Sequence, residues 1–332
     1  MANSDPGARR RAASLPGKIA LEEHFLCPGL EEYWTSTVAN VEPQVLKTLV
    51  ARLYDFDELR IRAMDEAGIA RSVLSVSGPG VQAERNAAEA VRKAQEANDF
   101  LAKEIQKRPD RYSGFAHLAL QDPVAAASEL ERCVRDLGFC GAMINGHTNG
   151  MYLDHPSFYP FWERAEALSA LIYIHPADPI EPILALQGHP GLQRATWGWG
   201  FETGSHALRL VFGGTFDRFP RARLALGHLG ETLPFLLWRL DSRAKLYGVK
   251  LDRRPSDYIK ENIVVTLSGM YSREPLLCTI AALGAGRVMF SADYPFESTA
   301  EAGAFMDTVA LSDEIRAQIA FRNAEGLLGL SV

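Results

Sequence analysis

The chain has 332 residues, 47% of them apolar and 23% charged, which leaves room for one large domain or two small ones and excludes a disordered or fibrous protein. Its 35 Lys and Arg against 41 Asp and Glu give a net charge of −6, and no basic patch is dense enough to meet a nucleic-acid backbone. The 4 cysteines are scattered without a CxxC pair, so neither a zinc ribbon nor a disulfide framework is expected, and reduced thiols in the cytoplasm are the simpler reading.

In chain order, residues 1–17 come first, with Arg9, Arg10 and Arg11 and no hydrophobic segment behind them, and read as a disordered tail rather than a secretory signal. Short apolar runs bounded by turn residues then predict strands at 18–23, 71–77, 112–119, 139–145, 171–175, 223–228, 262–268 and 286–292. Between and after them, apolar residues recurring at three and four predict helices at 57–67, 84–107, 123–137, 157–169, 203–218, 231–246, 273–284 and 312–328. No apolar run reaches the ~18 residues of a membrane helix.

Strict alternation of strand and helix predicts a parallel sheet, and the count predicts one (β/α)₈ barrel domain over 18–332. An open doubly wound sheet would carry a glycine-rich phosphate turn after its first strand, where Glu22-Glu23-His24-Phe25 stands instead. Long loops at 25–56 and 176–202 follow strands one and five and are rich in aromatics, with Trp34 and Trp197 as candidate contacts for a flat apolar ligand.

A barrel of this kind works at the carboxyl ends of its strands, and those ends carry Glu22, His24, His175, His228 and Asp293. Alternation puts Glu22 and His24 on one face of the first strand and Glu23 on the other. A carboxylate buried among apolar neighbours is unfavourable unless paired or bound to a cation. Two carboxylates and two imidazoles make a mixed shell suited to Zn²⁺ or Mn²⁺, with Mg²⁺ if the carboxylates dominate. Each residue alone is more often a hydrogen-bonded core group; their coincidence on the strand ends of one barrel favours a site. His117, His147, His155, His189 and His206 read as structural or solvated. Arg239, in Trp238-Arg239-Leu240-Asp241, either pairs along its helix or anchors a carboxylate with its two-pronged guanidinium.

Taken together, Lys18-Ile-Ala-Leu-Glu-Glu-His24, Arg108-Pro-Asp-Arg111, Gln121-Asp-Pro123, His175-Pro176, His206-Ala-Leu-Arg209, Gly227-His-Leu-Gly-Glu231, Trp238-Arg239 and Ser291-Ala-Asp-Tyr-Pro-Phe-Glu297 resemble the metal-dependent decarboxylase branch of the amidohydrolase superfamily. That branch includes the γ-resorcylate, 2,3-dihydroxybenzoate and salicylate decarboxylases. The resemblance runs from Lys18 to about Leu330. It implies one divalent metal held by Glu22, His175 and Asp293 with His24 as fourth ligand, and His228 with Glu231 beside the metal to handle protons. It also implies Arg239 and Phe296 in the substrate pocket, and a homo-oligomer, dimer or tetramer. Hydrolytic members of the superfamily carry His-x-His on strand one and a strand-four lysine bridging two metals, where this chain has Glu22-x-His24 and Asn145. The implied activity is non-oxidative loss of CO₂ from an ortho-hydroxybenzoate, reversible at high bicarbonate, with Asp293 delivering the proton. The alternative is a mononuclear hydrolase of a lactone or amide using metal-activated water.

Overall fold

The computed structural model describes residues 17–332 apart from 36, 39 and 40, so the expected tail lies outside the described residues but for Gly17. Eight strands follow in order: β1 (Lys18–Phe25), β2 (Ile69–Val76), β3 (Tyr112–Gly114), β4 (Gly141–Asn145), β5 (Leu171–His175), β6 (Arg223–Leu226), β7 (Ile263–Thr266) and β8 (Val288–Met289). Neighbouring strands pair in parallel within two runs, β1-β2-β3 and β4 to β8. Two bridges join the runs into a ring: Ala116 with Ala142 beyond β3, and Glu23 with Tyr294 beyond β8. At that second seam the His24 N–H donates to the Tyr294 carbonyl at 2.7 Å. The expected (β/α)₈ barrel is the fold.

Strands three and eight are shorter than their apolar runs. Past Gly114 the pairing continues only as the Ala116–Ala142 bridge, where the Ala116 N–H donates to the Gly141 carbonyl at 2.8 Å and the Met143 N–H to the Ala116 carbonyl at 3.1 Å. The long loops also differ from expectation. The one after β1 holds the helices Glu31–Trp34 and Pro43–Tyr54, the latter started by Pro43 with the Glu42 carboxylate accepting the N–H groups of Gln44 and Val45. That helix buries Leu53 against Leu26, Trp34 and Val38, a small cluster apart from the barrel core. The loop after β5 runs through three single turns before the helix Gly198–Phe212. Helices Pro255–Asn262 and Thr299–Thr308 complete the outer ring.

Candidate functional site

The register β4 to β5 pairs Asn145 with His175 and Met143 with Tyr173, so all four point the same way across the two strands. That direction is the barrel interior, because the Tyr173 hydroxyl donates to a Glu22 carboxylate oxygen and lies 2.7 Å from Thr266 Oγ1. Thr266 is in turn 2.7 Å from Ser268 Oγ. The Glu22 N–H donates to Ser291 Oγ at 2.9 Å, which ties the first strand to the last. A Cβ at Gly227 would stand 2.8 Å from Glu22 Oε2, so only glycine leaves room for that carboxylate.

One donor atom from each of Glu22, His24, His175 and Asp293 falls within 4.8 Å of the others. His24 Nε2 and Asp293 Oδ1 are 3.2 Å apart, and His175 Nε2 and Glu22 Oε1 are 3.6 Å apart. Glu22 Oε1, His24 Nε2 and Asp293 Oδ1 are buried and have no hydrogen-bond partner. Buried polar atoms are rarely left so, and three orphans converging on one point are what a bound cation would satisfy. The other ring nitrogens are already engaged. His24 Nδ1 is 3.3 Å from Ser75 Oγ, and His175 Nδ1 is 2.8 Å from the Pro176 carbonyl, which leaves each Nε2 to face the centre.

Burial lowers both histidines to about 4, so each is a neutral imidazole, the form that ligates metal. Burial works to raise Glu22, but the facing histidines, the protonated His228 foremost, outweigh it and hold the carboxyl below its usual range. Burial and the charge of Glu22 push Asp293 well above the usual carboxylate range. The two carboxyls are driven apart, one toward an anion and one toward an acid, the pattern of a paired acid and base.

Beside this group, His228 Nδ1 meets Glu231 Oε1 at 2.7 Å. Five successive residues after β6, His228 to Thr232, have positive φ between 50° and 84°. Four of them are not glycine, each costing about 1–2 kcal/mol, and the strain brings residues three apart onto one side of a tight turn. Burial opposes the charged imidazole, but contact with Glu231 prevails and lifts His228 to about 10. Burial raises Glu231, with His228 acting against it. One proton therefore stays on this pair.

The group opens into a cavity of about 700 Å³ whose lining includes His175, His228, Asp293, Phe296, Asn145 and Trp199. Phe296 packs on the His24 ring at 5.6 Å between centroids. Three expected pocket residues lie elsewhere. Trp34 is buried in the small cluster under Pro43–Tyr54. Trp197 is 56% exposed just before the helix Gly198–Phe212, and it is Trp199, in the first turn of that helix, that lines the cavity. Arg239 sits on the exposed side of the helix Leu233–Leu246, away from the cavity of its own chain. Sequence reasoning missed Tyr173, which alternation places on the face of His175, and Arg194. The Arg194 guanidinium reaches the Thr37 carbonyl and, at 3.3 Å, Asp178 Oδ2, tying the two long loops together over the cavity.

Known proteins share this architecture. The amidohydrolase family model matches residues 43–330. The γ-resorcylate decarboxylase of Rhodococcus jostii is 42% identical over 330 residues, covering 95% of this chain and 99% of that one. A crystal structure of 2,6-dihydroxybenzoate decarboxylase complexed with 2,6-dihydroxybenzoate superposes with a TM-score of 0.90 at 40% identity, over 95% of this chain and all of that one. The dihydroxybenzoic acid decarboxylase of Polaromonas sp. JS666, with bound manganese and 2-nitroresorcinol, superposes at 0.89 with 39% identity, over 95% and 98%. With a family model spanning most of its length and relatives this similar end to end, the chain belongs to the amidohydrolase family.

Proposed function

We propose that this protein is a metal-dependent carboxy-lyase that removes CO₂ without oxidation from an ortho-hydroxybenzoate. The observation that carries the reading is the convergence of Glu22 Oε1, His24 Nε2 and Asp293 Oδ1, buried and unpartnered, beside His175. The relatives named above support it, since they are decarboxylases and one was seen with manganese. Glu22, His24, His175 and Asp293 would hold one divalent ion, Mn²⁺ or Zn²⁺, with Mg²⁺ less suited to two imidazoles. When bound, it supplies the positive charge that steadies a phenolate while the ring is dearomatised.

The protein's own residues do the rest. The walls of the cavity keep water from the ring, with Phe296 on one side. Asp293 delivers a proton to the ring carbon that bears the carboxylate. The bond from that carbon to the carboxylate then breaks, its electron pair restores the aromatic ring, CO₂ leaves, and Asp293 remains as a carboxylate. His228, kept protonated by Glu231, offers an N–H toward the cavity and holds the reacting carboxylate's charge in place. Run backward at high bicarbonate, the same groups carboxylate a phenol. Asn145, where the binuclear hydrolases carry lysine, fits a single ion and weighs against a binuclear centre.

Two finer points belong to the same reading. Phe235 and Trp238 are 78% and 76% exposed on the helix that carries Arg239, a face that suits burial against a second copy in a homo-oligomer. Among the described residues no helix is long and apolar enough to cross a membrane, and Cys27, Cys133, Cys140 and Cys278 are all free thiols, which fits a reducing cytoplasm.

The test follows CO₂ release from 2,6-dihydroxybenzoate, 2,3-dihydroxybenzoate, salicylate and carboxyvanillate with added Mn²⁺ or Zn²⁺. Turnover of at least one is expected, and none across the panel refutes the proposal.

A further inference from the structure

Asn145 ends β4 one strand away from His175 and faces the barrel interior beside it. It is 1% exposed, it lines the cavity, and neither Oδ1 nor Nδ2 of its carboxamide has a hydrogen-bond partner. Two such orphans on one side chain are costly in a folded protein unless something supplies the missing partners.

The surroundings fix this side chain rather than satisfy it. Gln82 grips the Asn145 backbone from both sides: its Oε1 accepts the Asn145 N–H at 2.6 Å and its Nε2 donates to the Asn145 carbonyl at 3.2 Å. Gln82 Nε2 also donates to Thr148 Oγ1 at 3.0 Å. On the far side a Cβ at Gly78 would come within 2.4 Å of Asn145 Oδ1, so glycine there leaves the space the amide fills. A polar group preorganised in this way, unpaired at the edge of a cavity, fits a ligand that brings both a donor and an acceptor. A phenolic hydroxyl does so.

Resting on the decarboxylase reading above, we infer that Asn145 determines substrate specificity by hydrogen-bonding a second ortho hydroxyl of the ring. Adjacent strands lie about 4.8 Å apart, close to the separation of the two ortho oxygens on one benzoate ring. A ring that turns one ortho oxygen to the donors beside His175 therefore carries the other to the level of Asn145. The side chain accepts from that hydroxyl through Oδ1 or donates to it through Nδ2, and a ring without the hydroxyl leaves both orphans unpaired. Sites built on buried hydrogen-bonding groups discriminate most strongly against analogues that lack the partner.

The experiment titrates the manganese-loaded protein, followed optically, with 2-nitroresorcinol, which has two hydroxyls beside the nitro group, and 2-nitrophenol, which has one. Wild type is expected to prefer 2-nitroresorcinol by about tenfold or more, the worth of one good hydrogen bond. Asn145→Leu, of similar size, is expected to lose most of that preference by weakening 2-nitroresorcinol alone, with manganese content unchanged. Asn145→Gln, which keeps the amide, is expected to retain part of it. A wild type without the preference, a preference unchanged in Asn145→Leu, or an equal loss for both ligands overturns the inference. Failure of the decarboxylase reading shows separately, as wild type that discriminates between the analogues yet releases no CO₂ from 2,6-dihydroxybenzoate or salicylate.

Discussion

Glu23 brackets Asp293 from the neighbouring strand: its Oε1 accepts the Ala292 N–H at 2.8 Å and its Oε2 the Tyr294 N–H at 3.3 Å. Asp293 itself has a φ of 55°, a conformation that few side chains adopt unless held. Glu23 is not among the group of Glu22, His24, His175 and Asp293, yet it fixes the segment that presents Asp293. Glu23→Gln keeps the size but sets an amide N–H₂ against one of those backbone N–H groups. The variant is expected to fold and to lose about 10–100-fold in kcat or in metal affinity, read from steady-state rates and from metal analysis after desalting.

Asp293 and Glu22 should separate chemistry from metal retention. Asp293→Asn removes the acid, since an amide cannot deliver the proton, and kcat is expected to fall by about 10³-fold or more with the thermal midpoint little changed. Glu22→Ala removes a buried carboxylate that faces three histidines, and the expected result is protein that emerges from desalting largely free of metal. Near-normal turnover in Asp293→Asn would reassign the donor.

The His228–Glu231 pair predicts a pH profile. With Glu231 beside it, His228 stays protonated until about pH 10, so its charge persists through the neutral range. Glu231→Gln takes away the carboxylate that lifts the imidazole, and burial then draws it down. The alkaline limb of kcat is expected to move to lower pH in that variant, and an unmoved limb would remove His228 from the proton chemistry.

Two histidines away from the ligand group govern acid stability. His117 accepts the Val81 N–H at 2.9 Å and His206 accepts the Leu153 N–H at 3.0 Å, both as neutral rings. Burial lowers them to about 4 and about 3. Because the unfolded chain takes up these protons near the usual 6.5, the stability they contribute is complete above that pH and is lost as pH falls toward 4. Each should steepen the loss by roughly 1.4 kcal/mol per pH unit in that window. Replacing His117 by Gln should flatten the dependence, measured by urea unfolding at pH 7, 6 and 5.

The barrel was legible because strands buried on both faces read as short apolar runs, and all eight stand where those runs are. Helix Thr299–Thr308 was not, since of the residues it buries Thr299, Ala302 and Gly303 are small and Met306 alone carries a hydrophobic signal. Helix Pro43–Tyr54 carries its signal in Pro43 after Glu42 and in Leu46, Val50 and Leu53, but it is flanked by aromatics that read equally as a binding loop. The strand-end donors could be found because alternation fixes which way a strand residue points. No such rule reaches Trp197 and Trp199, one just before a helix and one in its first turn, and none says which side of its helix Arg239 takes.

The joining of Glu22 to Ser291 and of Glu23 to the backbone around Asp293 has a consequence for biosynthesis. A ribosome making this protein releases Glu22 and His24 long before Asp293, so a partly translated chain lacks one of the proposed donors. On the proposed ligand set, metal uptake registers that translation has passed residue 293 and that the first and last strands have met, and a product cut short before that point should leave the ribosome without its ion.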